Sequence, residues 1–152
     1  MKFTILIAAV LLTACVEKPS QTNDVSTAQI GTWRLVSKST RIKDSVSYTA
    51  MDNDKTIKIL NATHFAFFTH ELNPKKDSLN KPVFVSGAGS YTLKGNVYTE
   101  FLEYCNYREW ENNSFTFTLE VKGDSLIQSG EEEVKELNIK QVIVEKYIKL
   151  KD

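Results

Sequence analysis

Two short glycine-containing turns constrain the fold of this 152-residue chain more than any other feature of its sequence. Gly95-Asn96 and Gly123-Asp124 each stand between segments rich in β-branched and aromatic residues, and glycine supplies the positive φ that a two-residue hairpin turn requires. Every second residue of the segment 115–121 is apolar, which is the alternation of a strand with one buried face. The sequence therefore predicts two antiparallel hairpins.

Strand patterns recur along the rest of the chain, and no long segment has helical periodicity. We predict strands at residues 30–37, 56–60, 64–70, 89–94, 97–105, 114–122, 125–130 and 141–150. An all-β chain of this size must protect its sheet edges by closing into a barrel or by stacking two sheets. Tight turns favour the barrel, so we predict one domain, an antiparallel up-and-down β-barrel of about eight to nine strands. The acidic run 131–133 is predicted to be a solvated turn.

The N-terminal segment has the features of an export signal. Lys2 supplies a positive charge, residues 3–12 are almost entirely apolar, and small residues precede Cys15. The stretch Leu12-Thr13-Ala14-Cys15 resembles the site that bacterial lipoprotein processing recognises. The resemblance implies that residues 1–14 are a cleaved signal peptide and that a lipid on Cys15 anchors the mature chain in the cell envelope. An aspartate directly after the cysteine would indicate retention in the inner membrane, but Val16 stands there. We therefore expect the protein to be anchored in the outer membrane and to face the periplasm.

A lipid on Cys15 has consequences for the rest of the chain. It would leave Cys105 without a disulfide partner, so Cys105 is predicted to be a small strand residue rather than a catalytic thiol. The polar residues 15–28 are predicted to form a flexible tether to a domain at 29–152. Because Lys2 is the one charged residue of the leader, the mature chain would carry 18 basic and 19 acidic side chains. That balance gives no reason to expect a nucleic acid partner.

Several segments of the predicted barrel resemble one family. Gly31-Thr32-Trp33 matches the glycine-any-tryptophan signature that opens lipocalins, and the segments 64–68, 87–100 and 121–126 are similar to a group of small bacterial lipocalin-like proteins, many without an assigned function. The resemblance covers about residues 30–151. It implies that Trp33 packs at the closed end of the barrel, beneath an arginine of the last strand. The only arginines of this chain are Arg34, Arg41 and Arg108, so a lysine would take that place. Lys146 and Lys149 are the candidates for that position.

The two hairpin turns also predict which side chains share a face. With Gly95-Asn96 as the loop, Tyr91 lies opposite Glu100 on the neighbouring strand. The face predicted to point inward holds Tyr91, Leu93, Tyr98, Glu100, Leu102 and Tyr104 on the first hairpin, and Phe115, Phe117, Leu119, Val121, Leu126 and Gln128 on the second. Glu100 is therefore expected inside an aromatic-lined barrel.

Two interpretations of this interior stay open at the sequence level. In one, Glu100 and nearby phenol groups hold the polar end of a ligand whose apolar body lies against phenylalanines; the candidate residues are Trp33, Phe65, Phe67, Tyr91, Tyr98, Glu100, Tyr104, Phe115 and Phe117. In the other, Glu100 lies at the barrel mouth, solvated or hydrogen-bonded, and side chains fill the interior. A dry Glu100 would require a partner such as Tyr or Lys.

The predicted function follows the first interpretation: noncovalent binding of a small apolar or amphipathic ligand at the cell envelope. The alternative is a module that binds another envelope protein through the loops 73–82 and 108–114. Trp110 in the second loop is a lesser candidate for closing the barrel mouth.

Catalysis, a cofactor and a metal are not expected. The sequence contains no serine-nucleophile elbow and no phosphate-binding glycine loop, and Glu100 and Glu103 would point to opposite faces of one strand. His64 and His70 would stand about 20 Å apart on a straight strand, too far to share an ion.

Overall fold

A computed structural model describes residues 27–73 and 83–151. Within these residues nine strands are present: β1 (Gly31–Ile42), β2 (Ser45–Tyr48), β3 (Asp54–Leu60), β4 (His64–Glu71), β5 (Phe84–Lys94), β6 (Val97–Cys105), β7 (Asn113–Lys122), β8 (Ser125–Val134) and β9 (Ile139–Lys149). Single 3₁₀ turns lie at Arg108–Trp110 and Lys135–Leu137. The predicted signal peptide, Cys15 and most of the predicted tether and of the 73–82 loop lie outside the described residues.

The strands form one closed antiparallel barrel in a single domain. Strands β3 to β9 pair in chain order, and β1 closes the barrel by pairing with β3 on one edge and β9 on the other. The ninth strand, β2, pairs only with the last residues of β1 and stands outside the eight-stranded ring. The predicted all-β, up-and-down barrel is therefore confirmed, while β2 is an addition that the sequence pattern did not predict.

The barrel has two distinct ends. The tight connections 61–63, 95–96 and 123–124 lie at the end where β1 begins, which we call the closed end. The longer connections 49–53, 106–112 and 135–138 lie at the opposite end, which we call the open end.

Buried aromatic packing fills the closed end. Trp33 is fully buried, and its indole N–H donates to the carbonyl oxygen of Gln29 at 2.7 Å. The ammonium nitrogen of Lys149 lies 5.2 Å from the centre of the Trp33 ring, a distance at which a cation is attracted to the ring face. Of the two lysines proposed for this position, Lys149 is the one in place. The Tyr91 hydroxyl donates to the Asn61 carbonyl at 2.6 Å, tying β5 to the β3–β4 turn.

The predicted register of both hairpins is confirmed. Tyr91 pairs with Glu100 across β5 and β6, and Val121 pairs with Leu126 across β7 and β8. The prediction that Tyr104 shares the inward face is wrong, because Tyr104 is 67% exposed on the outside of the barrel. The cause is a bulge: Leu102 pairs with Gly89 but Tyr104 pairs with the next residue, Ala88, so Glu103 is an extra residue that reverses the alternation.

The acidic run 131–133 is part of β8 rather than a solvated turn, so that prediction is also wrong. β9 extends far enough to pair with these residues, and Lys140 on β9 forms ion pairs with Glu131 at 3.0 Å and Glu133 at 3.6 Å on the outer surface. Because strand residues alternate, Glu132 points to the other side, into the barrel.

Candidate functional site

A cavity occupies the open half of the barrel. It consists of two adjoining pockets of about 320 and 400 Å³ that share five lining residues: Lys38, Phe67, Val85, Glu100 and Glu132. We call their union the barrel cavity. It lies within the size range of small-molecule sites in proteins.

The floor of the barrel cavity is a buried ion pair. Lys58 on β3 donates to a carboxylate oxygen of Glu100 on β6 and, at 2.5 Å, to the amide oxygen of Gln128 on β8. The side chains of Lys58 and Glu100 are only 4% and 9% exposed. Lys58 thus supplies the partner that a buried Glu100 requires. The hydrogen bond to a neighbour that the second interpretation allowed for Glu100 is present, but the carboxylate is buried at the cavity floor and not solvated.

Aromatic rings pack against the Lys58–Glu100 ion pair, which we call the floor pair, on the side of the closed end. The Lys58 ammonium nitrogen lies 5.6 Å from the centre of the Phe65 ring and 5.2 Å from that of Tyr98. The Tyr98 hydroxyl is buried and has no hydrogen-bond partner in the described part of the chain. Burial and the charge of Glu100 raise the pKa of Tyr98 well above its usual range. It is therefore a neutral phenol at any physiological pH.

A second ion pair lies on the cavity wall formed by β1 and β9. Lys38 and Glu145 are directly paired across these strands, and the ammonium nitrogen of Lys38 lies 2.8 Å from a carboxylate oxygen. The Tyr147 hydroxyl donates to the other carboxylate oxygen at 2.6 Å. Burial acts to raise the pKa of Glu145, but the charges of Lys38 and Lys58 and these hydrogen bonds outweigh it and hold that pKa below its usual value. Glu145 is therefore ionised.

Glu132 on β8 is a further carboxylate of the barrel cavity. Its one hydrogen-bond donor among the described residues is the Gln141 amide, at 2.7 Å, and none of these residues brings a cation within 4.0 Å of it. Burial raises the pKa of Glu132, the charge of Lys38 and the Gln141 hydrogen bond oppose the shift, and Glu145 and Glu100 add to it. The charge of this carboxylate is thus only partly compensated.

The remaining wall of the barrel cavity is apolar. Phe67, Val85, Leu102 and Phe115 line it, and Trp110 from the β6–β7 connection packs on Phe115 with ring centres 6.0 Å apart. The connection is held in place by Glu111, whose carboxylate accepts the Cys105 backbone N–H at 2.9 Å and pairs with Arg108 at 3.0 Å. Trp110, a predicted candidate for closing the barrel mouth, thus lies in the lining of the barrel cavity. Cys105, at the end of β6, also lines this wall.

The structure divides the nine predicted ligand-binding residues into three groups. Phe67, Glu100 and Phe115 line the barrel cavity. Five others are buried in the core without lining it: Trp33, Phe65, Tyr91, Tyr98 and Phe117. Tyr104 lies outside the barrel, for the reason given above. The interior is therefore packed in its closed half and hollow in its open half.

Five charged residues of the cavity were missed at the sequence level: Lys38, Asp54, Lys58, Glu132 and Glu145. A signal existed for three of them, because strand alternation places Lys58 on the face of Leu60, Glu145 on the face of Ile143, and Glu132 on the face of Val134. Lys38 had no such signal. A bulge between Leu35 and Ser37 shifts the alternation of β1, and this shift turns Lys38 inward.

His64 and His70 are both exposed, near opposite ends of β4. Within residues 27–73 and 83–151 no group of three His, Cys, Asp or Glu side chains is arranged to hold a metal ion. In the same residues no helix is long and apolar enough to cross a membrane.

Comparison with known proteins does not place this chain in a family. No protein-family model, no curated protein and no solved structure gives a significant match. The case for a function therefore depends on the sequence and on the barrel cavity.

Proposed function

We propose that this protein binds a small amphipathic molecule noncovalently in its barrel cavity and releases it unchanged. The observation that carries the proposal is the two-sided lining of the cavity. Ionised and hydrogen-bonding side chains occupy the floor and one wall, while Phe67, Phe115 and Trp110 occupy the other. A mostly apolar pocket with a few placed polar groups is the usual form of a small-molecule site. The polar end of the ligand would lie among the charged groups and its apolar body on the aromatic wall.

We also propose that the protein works at a bacterial cell envelope, anchored by a lipid on Cys15. Support for this part comes from the leader sequence, in which an apolar segment ends at the lipoprotein-like site. A coil of about a dozen residues between the lipid and the barrel would span on the order of 20 Å, which keeps the barrel close to the membrane surface. There it could take up molecules that partition between membrane and water.

A pair of valine substitutions tests binding in the barrel cavity. Val85 lines both pockets, whereas Val144 on β9 is 43% exposed on the outer surface. The full chain, extracted from membranes with a mild detergent, is titrated with N-phenyl-1-naphthylamine, a neutral apolar fluorophore. We expect one site, an affinity at least about tenfold weaker in Val85→Trp, and no change in Val144→Trp.

The melting temperature of each variant shows whether it is folded. Equal binding by the wild type and by a folded Val85→Trp would place the fluorophore outside the barrel and refute the proposal. The alternative function, binding of another envelope protein, would then be the one to pursue by crosslinking.

A further inference from the structure

The charged groups that line the barrel cavity do not balance among the described residues. Four carboxylates face two ammonium groups: Asp54, Glu100, Glu132 and Glu145 against Lys38 and Lys58. Both ammonium groups already form ion pairs, Lys58 with Glu100 and Lys38 with Glu145. Among the described residues, the cavity therefore has more negative charge than its two lysines neutralise.

Glu132 lines both pockets and is one of the carboxylates that make up this excess of negative charge. A carboxylate can accept about four hydrogen bonds, and Gln141 supplies one. Burial raises the pKa of Glu132 and the nearby carboxylates Glu145 and Glu100 add to the shift, while the charge of Lys38 and the Gln141 hydrogen bond oppose it only in part. A cation delivered to this position would pair with the carboxylate and lower the cost of burying its charge.

One of the two pockets that Glu132 lines also contains the aromatic wall. Phe67, Trp110 and Phe115 line it together with Glu132, and the Trp110 and Phe115 rings pack against each other. Aromatic faces attract cations and at the same time bind apolar groups. An anionic ligand would meet a cavity with excess carboxylates, and burying its charge there would be costly. The lining thus favours a positive head group joined to a flat or apolar body.

We propose that the ligand of the barrel cavity is an amphipathic amine, whose ammonium group pairs with Glu132 and whose apolar body lies against Phe115 and Trp110. This inference rests on the proposed function, because it names the chemical class of the molecule that the cavity takes.

Three probes with nearly the same body and different charge test this inference. The full chain is titrated with 2-phenylethylamine, 2-phenylethanol and 3-phenylpropanoate, and binding is followed by changes in backbone amide resonances. We expect the amine to bind at least about tenfold more tightly than the alcohol or the carboxylate. Resonances of residues around Glu132 and Phe115 should shift with the amine.

Two neighbouring glutamates give a matched pair of variants. Glu132→Gln keeps the size of the side chain and an acceptor for Gln141 but removes the inward charge. Glu131→Gln removes a charge on the outer surface, where Glu131 pairs with Lys140. We expect Glu132→Gln to weaken amine binding about tenfold and to leave alcohol binding unchanged, and Glu131→Gln to change neither.

The outcomes separate this inference from the function on which it rests. If all three probes bind the cavity with equal affinity, or if Glu132→Gln has no effect on amine binding, the amine assignment is wrong and the binding function stands. If no probe and no fluorophore binds, both are wrong. If the carboxylate binds best, the excess negative charge is not what selects the ligand, and the assignment is overturned.

Discussion

Replacing Lys58 with methionine should destabilise the barrel by about 3–5 kcal/mol, because it leaves the carboxylate of Glu100 buried without a cation. The magnitude follows from burial: Glu100 is 9% exposed in its side chain, and the Lys58 ammonium is its partner in the floor pair. Gln128 would also lose the donor to its amide oxygen. At about 4 °C per kcal/mol, the melting temperature should fall by at least about 12 °C.

The double variant Lys58→Met/Glu100→Leu should be more stable than Lys58→Met alone. Removing both charges also removes the cost of keeping them out of water, and the remaining loss is the unpaired Gln128 acceptor, about 1–2 kcal/mol. The two single variants and the double variant form a cycle whose coupling free energy we expect to be at least about 2 kcal/mol. Urea unfolding followed by tryptophan fluorescence gives each free energy of unfolding.

Lys140 provides the control for this cycle. It is also a strand lysine in ion pairs with glutamates, but its side chain is 62% exposed. Lys140→Met should leave the free energy of unfolding almost unchanged, as surface ion pairs contribute little. A loss of less than about 1 kcal/mol in Lys58→Met would refute the reasoning, because it would mean that Glu100 is solvated from the cavity.

Two further predictions concern backbone space and buried phenols. Gly89→Ala should lower the free energy of unfolding by at least about 3 kcal/mol, because the added Cβ would lie 1.9 Å from a carbonyl oxygen of β6. Gly95→Ala has open space around it and a φ of +62°, so it should lower the same quantity by about 1–2 kcal/mol. Equal losses in the urea assay would contradict this prediction. Burial and a neighbouring carboxylate raise the pKa of both Tyr98 and Tyr147, so the folded state keeps phenol protons that the unfolded state releases above about pH 10. The free energy of unfolding should therefore be retained below pH 10 and fall above it by about 1.4 kcal/mol per pH unit for each tyrosine. If a Tyr98→Phe/Tyr147→Phe variant lost stability above pH 10 as steeply as the wild type, these two tyrosines would not be the cause.

Most of the architecture could be predicted from the sequence, because hairpin turns and strand alternation are local signals. Gly95-Asn96 sets the pairing of Tyr91 with Glu100, and the apolar side chains on the face that they share place Glu100 inside the barrel. The same signals fail where a bulge interrupts them. At Glu103 and near Val36 one extra residue reverses the alternation, so Tyr104 turns outward and Lys38 turns inward.

By itself, the sequence determined most of the strands, the two hairpin registers and the inward face of Glu100, since each depends on residues only a few positions apart. Closure of the barrel joins the first and last strands of the ring, β1 and β9, and a barrel was expected because an all-β chain must protect its sheet edges. The tertiary structure alone decided that Lys58 neutralises Glu100, because 42 residues separate them and they meet across the interior after the barrel closes. It also decided that Glu132 lies in the cavity without a lysine within salt-bridge distance among the described residues. Charge pairing in a closed barrel depends on which side chains meet across the interior. The sequence pattern of a single strand does not show which residues of distant strands it will face.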